Sequence, residues 1–213
     1  MASDPKLKKE MTERLKALAI WAVEKEGYKV SPLRGRAKLF KLARDGQECV
    51  AALKCTVSSR IGIGMDENEK WRTIPQADFV LVASADGEDG KLDYTIDTGS
   101  VWLLPTKEVI NRLEILKASK AAKGYDLAEQ GWFLSLQEVP PPDSQAPGSG
   151  IGKAISPIAS NVNLTNLINR SGEHTTEQPK GPDVQPLTID QAKAAVAAQL
   201  GVAIDQVRIT VEW

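Results

Sequence analysis

Residues 77–86 read ADFVLVASAD, and this stretch constrains the fold most. It is a continuous apolar run closed at each end by an acid, with no alternation of apolar and polar positions. A strand apolar on both sides needs cover on both faces, which places it centrally in a sheet with other elements packed above and below. A hairpin signal precedes it. In AKLFKLARDGQECVAALKCTV, Asp45-Gly46 separates two runs of strand formers, and such a pair supplies the positive φ angles of a two-residue turn.

Helical periodicity flanks this region. Asp4 before Pro5 reads as an N-cap with proline at the first helical position. Leu7, Met11, Leu15, Leu18 and Ala22 then recur at helical spacing as far as Glu26, and Gly27 stops the helix. Tyr28 to Ser31 reads as a short strand ended by Pro32. Residues 58–76 read as a loop, and YTIDTGSVWLLP as one or two strands. A second helix is expected from Thr106 to Lys123, with Val109, Ile110, Leu113 and Leu116 on its buried face. GWFLSL follows as one more strand.

Beyond residue 136 the composition shifts. Eight of the twelve prolines lie from Pro140 to Pro186, among Gly, Ser, Asn and Gln, so 137–186 reads as a linker. Within it, Ile158, Val162, Leu164 and Leu167 are spaced for a short docking helix. Residues 187–213 read as a capped helix, IDQAKAAVAAQL, followed by an alternating strand, RITVEW. A unit this small cannot bury enough surface to fold alone, so it is expected to dock on the main domain, a second copy or a partner. The expected fold is therefore α/β (α+β): residues 1–136 with a central mixed sheet in the order helix, strand, hairpin, strand, helix, then the linker and a small C-terminal helix-strand unit.

Several functions are disfavoured by the residues present. No run approaches the roughly 18 apolar residues that cross a bilayer, and MASDPKLKKE lacks a secretory pattern, so a cytoplasmic protein without a membrane partner is expected. Cys49 and Cys55, on one strand, would be about 20 Å apart, too far for a disulfide, and read as small buried hydrophobes. His174 is the only histidine and falls in the linker, without a nucleophile to serve. GIG at 62–64 and GSGIG at 148–152 lack the context of a phosphate loop and read as flexible turns. DGEDGKLDYTID misses calcium-loop spacing and reads as a hairpin turn. Trp71, Trp102 and Trp132 suit either base stacking or a core position.

Charge is segregated. Residues 28–60 hold eight Lys/Arg (Lys29, Arg34, Arg36, Lys38, Lys41, Arg44, Lys54 and Arg60) against Asp45 and Glu48, while residues 61–104 carry a matching acidic excess. A basic segment of this kind can face phosphates even on a chain of net charge −1, or can be neutralised by the acidic one.

Lys54 interrupts the apolar strand ECVAALKCTV. The element order and the sequence Lys54-Cys55-Thr56, Arg60, Trp71, Ala77-Asp78-Phe79-Val80 resemble divergent members of the restriction-endonuclease-like PD-(D/E)XK superfamily, over roughly residues 6–136. That resemblance implies an acid on the first hairpin strand and an acid-x-lysine triplet on the second, holding Mg²⁺ beside a catalytic lysine. Here the triplet is Ala52-Leu53-Lys54, and Ala37 or Lys38 stands opposite, so both implied ligands are replaced. Glu48 is distant along the strand, and Glu10, Glu13 and Glu24 lie off the apolar stripe of the first helix.

The expectation is a degenerate nuclease-like domain with Lys54 as a vestigial catalytic residue and no metal. Arg34, Arg36, Lys38, Lys41, Lys54 and Arg60, with Lys117 and Lys120 from the second helix, would bind nucleic acid. Two alternatives stand beside it. One is a non-enzymatic protein–protein interaction or homo-oligomer through residues 187–213; the other is an active Mg²⁺-dependent nuclease with relocated acids.

Overall fold

Asp4 opens the first helix: its carboxylate Oδ1 accepts the Lys6 N–H at 2.9 Å, and Pro5 occupies the first helical position. The resulting α1 (Pro5–Lys25) buries Met11, Leu15, Leu18, Ala19, Ala22 and Val23, while Leu7 at the start of the stripe stays 41% exposed. Gly27, at φ +86°, then turns the chain into a strand, a conformation that glycine adopts without strain. The computed structural model describes residues 4–33, 38–66, 70–127, 131–137 and 149–167. The chain divides into two units, Met1–Glu173 and His174–Trp213, and every described residue lies in the first. The expected helix and strand of residues 187–213, and His174, lie outside the described residues.

Six strands build the main sheet: β1 (Lys29–Pro32), β2 (Leu39–Arg44), β3 (Gln47–Thr56), β5 (Phe79–Ala85), β6 (Thr98–Pro105) and β8 (Ala159–Asn163), side by side in that order. Only β3 and β5 run parallel; every other pair is antiparallel. The protein is thus a mixed α+β structure around a mixed sheet. The β2–β3 hairpin closes where its composition says it should. Arg44 pairs with Gln47, with Asp45 at φ 53° and Gly46 at φ 77° between them. β5, the uninterrupted apolar run, lies inside the sheet between β3 and β6.

Alternation on the strands separates two cores. One face meets α1 through Ala51, Leu53, Leu81, Ala83 and Val101. The other meets α2 (Thr106–Ala122) through Val80, Val82, Trp102 and Leu104, against Val109, Leu113 and Leu116. A second, two-stranded sheet joins β4 (Arg60–Ile63) to β7 (Trp132–Ser135) and contributes to this second core. Residues 58–76, expected as a loop, therefore contain a strand, a Met65–Trp71 bridge and a short 3-10 turn at Ile74–Gln76. GWFLSL is the anticipated strand, but it pairs with β4 and not with the main sheet.

Of the stretch read as a linker, residues 149–167 are built into the fold. Gly150, at φ +81°, leads into the short α3 (Ile151–Ala154), and its N–H donates to the Ser135 carbonyl at 2.7 Å. The Ser149 carbonyl accepts from Arg112 at 3.2 Å, and the Trp102 indole N–H donates to the Gly152 carbonyl at 3.1 Å. Residues 149–152 of GSGIG are consequently a packed joint, not a free turn. Residues 159–163, spaced for a docking helix, form the edge strand β8 instead, and helical residues begin only at 165. Its pairing with β6 is irregular, with a register shift between Gly99 and Val101 and Asn161 at φ 53°. Leu164 and Leu167 bury against the α1 core. The helical spacing of Ile158, Val162, Leu164 and Leu167 thus reflects a strand whose period breaks before it meets a helical turn.

Candidate nucleic-acid interface

Lys54 stands on β3 opposite Val82, two residues beyond Ala52, which pairs with Leu39 on one side and Val80 on the other. Even-numbered β3 residues share the face of the second core. Among the described residues α2 packs there against β5 and β6, and β4 and the Ile74–Gln76 turn reach β3, leaving exposed positions on β1, β2 and the start of β3. At these positions lie Lys29 and Ser31, both exposed, with Lys41 and Val50 half-exposed and Glu48 exposed. Register places them together, since Lys29 pairs with Ala43, Ser31 with Lys41, and Lys41 with Val50.

Lys54 is half-buried, and among the described residues its ammonium has neither a hydrogen bond nor a carboxylate partner. Burial pushes its pKa below the ordinary lysine value, and the nearby positive charge of Lys38 pushes the same way. A half-buried cation whose charged neighbour is another cation is short of an anion. Ala52, at the position where the resemblance implies a metal ligand, is fully buried. Glu48, on the same face, is about 20 Å along the strand and ion-paired to Lys41. Residues around Lys54 therefore do not fit a divalent cation, and no three His, Cys, Asp or Glu side chains converge on a metal position among the described residues.

The other expected contacts separate into distinct groups. Arg34 and Arg36 lie outside the described residues. Lys38 is exposed beside Lys54 and Lys41 shares its face, although Lys41 is engaged by Glu48. Arg60 sits on β4 in the second sheet, ion-paired to Asp89 of the acidic segment at 3.2 Å, with its side chain still 43% exposed. Lys117 is half-buried on α2. Lys120, also on α2, donates to the Gly131 carbonyl at 3.1 Å and lies 5.0 Å over the Trp132 ring, with its pKa lowered by burial. Lys29 is the functional candidate that the sequence reading left out of the site. Its signal was the alternation Lys29-Val30-Ser31, which turns the lysine to the side opposite a core valine.

Trp71, Trp102 and Trp132 do not offer free faces. Trp71 and Trp132 meet edge to face at 5.4 Å, Trp71 donates its indole N–H to Glu114 at 2.6 Å, and both rings are buried with Trp102. They are core residues, and the indole N–H groups of Trp71 and Trp102 have acceptors in Glu114 and the Gly152 carbonyl. Cys49 and Cys55 are free thiols on the α1 side of β3. Burial pushes the Cys55 thiol up to about 12, which makes it inert at neutral pH. Among the described residues no helix is long and apolar enough to cross a membrane. Compared with known proteins, the chain matches no family model, no curated protein and no solved structure.

Proposed function

We propose that this protein is a degenerate relative of the restriction-endonuclease-like superfamily that binds nucleic acid on the exposed β1–β3 sheet face without cutting it. The observation that carries the reading is Lys54: a half-buried ammonium beside Lys38, with an alanine where a metal-holding acid would stand. Lys29 and Lys41 extend the positive face toward the sheet edge. The order of α1, β1, the β2–β3 hairpin, β5, β6 and α2, with the lysine on the second hairpin strand, supports the kinship.

Lysines on a flat face contact phosphates as point charges and read no base edges, so binding is sequence-independent. Each neutralised phosphate releases counterions, and affinity falls with a slope of about −0.7 to −0.9 per contact in a plot of log K against log salt. Fluorescence anisotropy with random-sequence DNA tests this directly. Lys54→Met, which keeps the apolar stem and removes the charge, weakens binding and flattens the salt slope by about one contact. Absence of binding by the unaltered protein at low salt rejects the reading. Incubation with plasmid and Mg²⁺ leaves the DNA intact; nicking that disappears in Lys54→Ala would establish the active-nuclease alternative.

A further inference from the structure

The two-stranded sheet exposes one large aromatic side chain. Phe133 on β7 is 54% exposed although its neighbours Trp132 and Leu134 are buried. Its ring is held between two glycines. A Cβ on Gly62, its cross-strand partner, would lie 3.2 Å from ring atom Cε1, and a Cβ on Gly131 would lie 2.5 Å from Cε2. The GIG sequence thus has a structural use on this face: any side chain at Gly62 would crowd the ring.

Cations lie along the outer side of β4. Arg60 and Gly62 alternate on the outer side of β4, so Arg60 shares the face of Phe133. Gly64, the next residue of that alternation, lies beside the side chain of the exposed Arg72. Lys120 is not among them: it donates to the Gly131 carbonyl from over the Trp132 ring, on the buried side of β7. Asp89 compensates Arg60 only in part, because the Arg60 side chain remains 43% exposed.

We propose that Phe133 is a stacking platform for an unpaired base, with Arg60 and Arg72 holding the flanking phosphates. The inference rests on the nucleic-acid reading above and adds to it a preference for single strands. An aromatic ring on a sheet face gains nothing from a duplex, whose bases are already stacked, whereas an unpaired base can lie on it. Glycines on both sides hold the ring in place before binding, which lowers the ordering cost. Charge complementarity selects a polyanion as the occupant over an apolar protein surface.

The test uses the full chain with labelled oligothymidine and, separately, a blunt duplex of random sequence. Phe133→Ala is expected to weaken single-strand binding about tenfold and leave duplex binding unchanged. Phe133→Trp is expected to retain or strengthen it, which a purely structural role for the ring would not produce. Thermal unfolding identifies any variant that loses its fold, and Phe133→Leu, which preserves apolar bulk but no π face, then serves as the comparison. Equal affinities for single strands in Phe133→Ala or Phe133→Leu and the parent overturn the platform while leaving the Lys54 face standing. Failure of the parent to bind either oligonucleotide overturns both. A change in sedimenting mass on mutation, with single-strand binding intact, assigns the ring to a protein contact and overturns the platform.

Discussion

Lys54 shows how a single half-buried charge can be traded between stability and binding. Desolvation lowers its folded-state pKa below the ordinary value of 10.5, so the folded state disfavours the bound proton. The unfolded chain holds more protons between the two values, and stability therefore rises with pH through that window. Denaturant titrations at alkaline pH are expected to show this gain in the parent and a smaller one in Lys54→Met. At neutral pH the same variant is expected to be as stable as the parent or more stable, because it removes an uncompensated charge. Its loss of affinity would then be a loss of charge and not of fold. Cys55, the next residue, turns to the opposite face and behaves differently. Its thiol, pushed up to about 12, stays protonated at mildly alkaline pH, and iodoacetamide should label it much more slowly in the folded chain than in urea.

At the scale of elements, α3 and β8 join the 149–167 segment to the rest of the main unit. A Cβ on Gly152 would come within 2.7 Å of the Leu136 carbonyl oxygen and 3.1 Å of the Trp102 indole nitrogen. Gly152→Ala is accordingly expected to destabilise by about 1–3 kcal/mol in denaturant unfolding. A chain ending at residue 137 should melt lower than one ending at 173, since it loses β8 and uncovers Trp102. The elements that could be read from the sequence were those with a local cause. Asp4 caps α1, Asp45-Gly46 turns the hairpin, and the charge-free run of β5 demands an interior position. What could not be read had a distant cause. β4 carries Gly62, is followed at once by Gly64, and looks like a turn until β7 pairs with it. Residues 158–167 look helical because Asn161 and a bulge interrupt the strand alternation, and only the free edge of β6 shows that this segment is a strand. The site was legible in the same uneven way. Lys54 announced itself by breaking an apolar strand, whereas Lys29 needed the β1–β2 register, and the salt bridge that engages Arg60 depends on Asp89 in another loop.

For the whole molecule, charge that is segregated in sequence is only partly segregated in space. Glu48 answers Lys41 and Asp89 answers Arg60, yet Lys29, Lys38 and Lys54 have no ion-pair partner among the described residues. Modest, salt-sensitive affinity follows. Raising salt from about 50 to 200 mM should cost roughly an order of magnitude or two for two to three phosphate contacts, far less than for proteins making six or more. A gel-shift series across that range checks it. Order along the chain carries a consequence for synthesis. β6 is made well before β8, its outer neighbour in the finished sheet. At about 5–20 residues per second, a translating ribosome leaves the rim of β6 bare for several seconds, with the Trp102 indole still lacking its acceptor. Nascent chains halted in that interval would present an open template for mispairing, so the last described strand acts as the seal on a sheet otherwise already laid down.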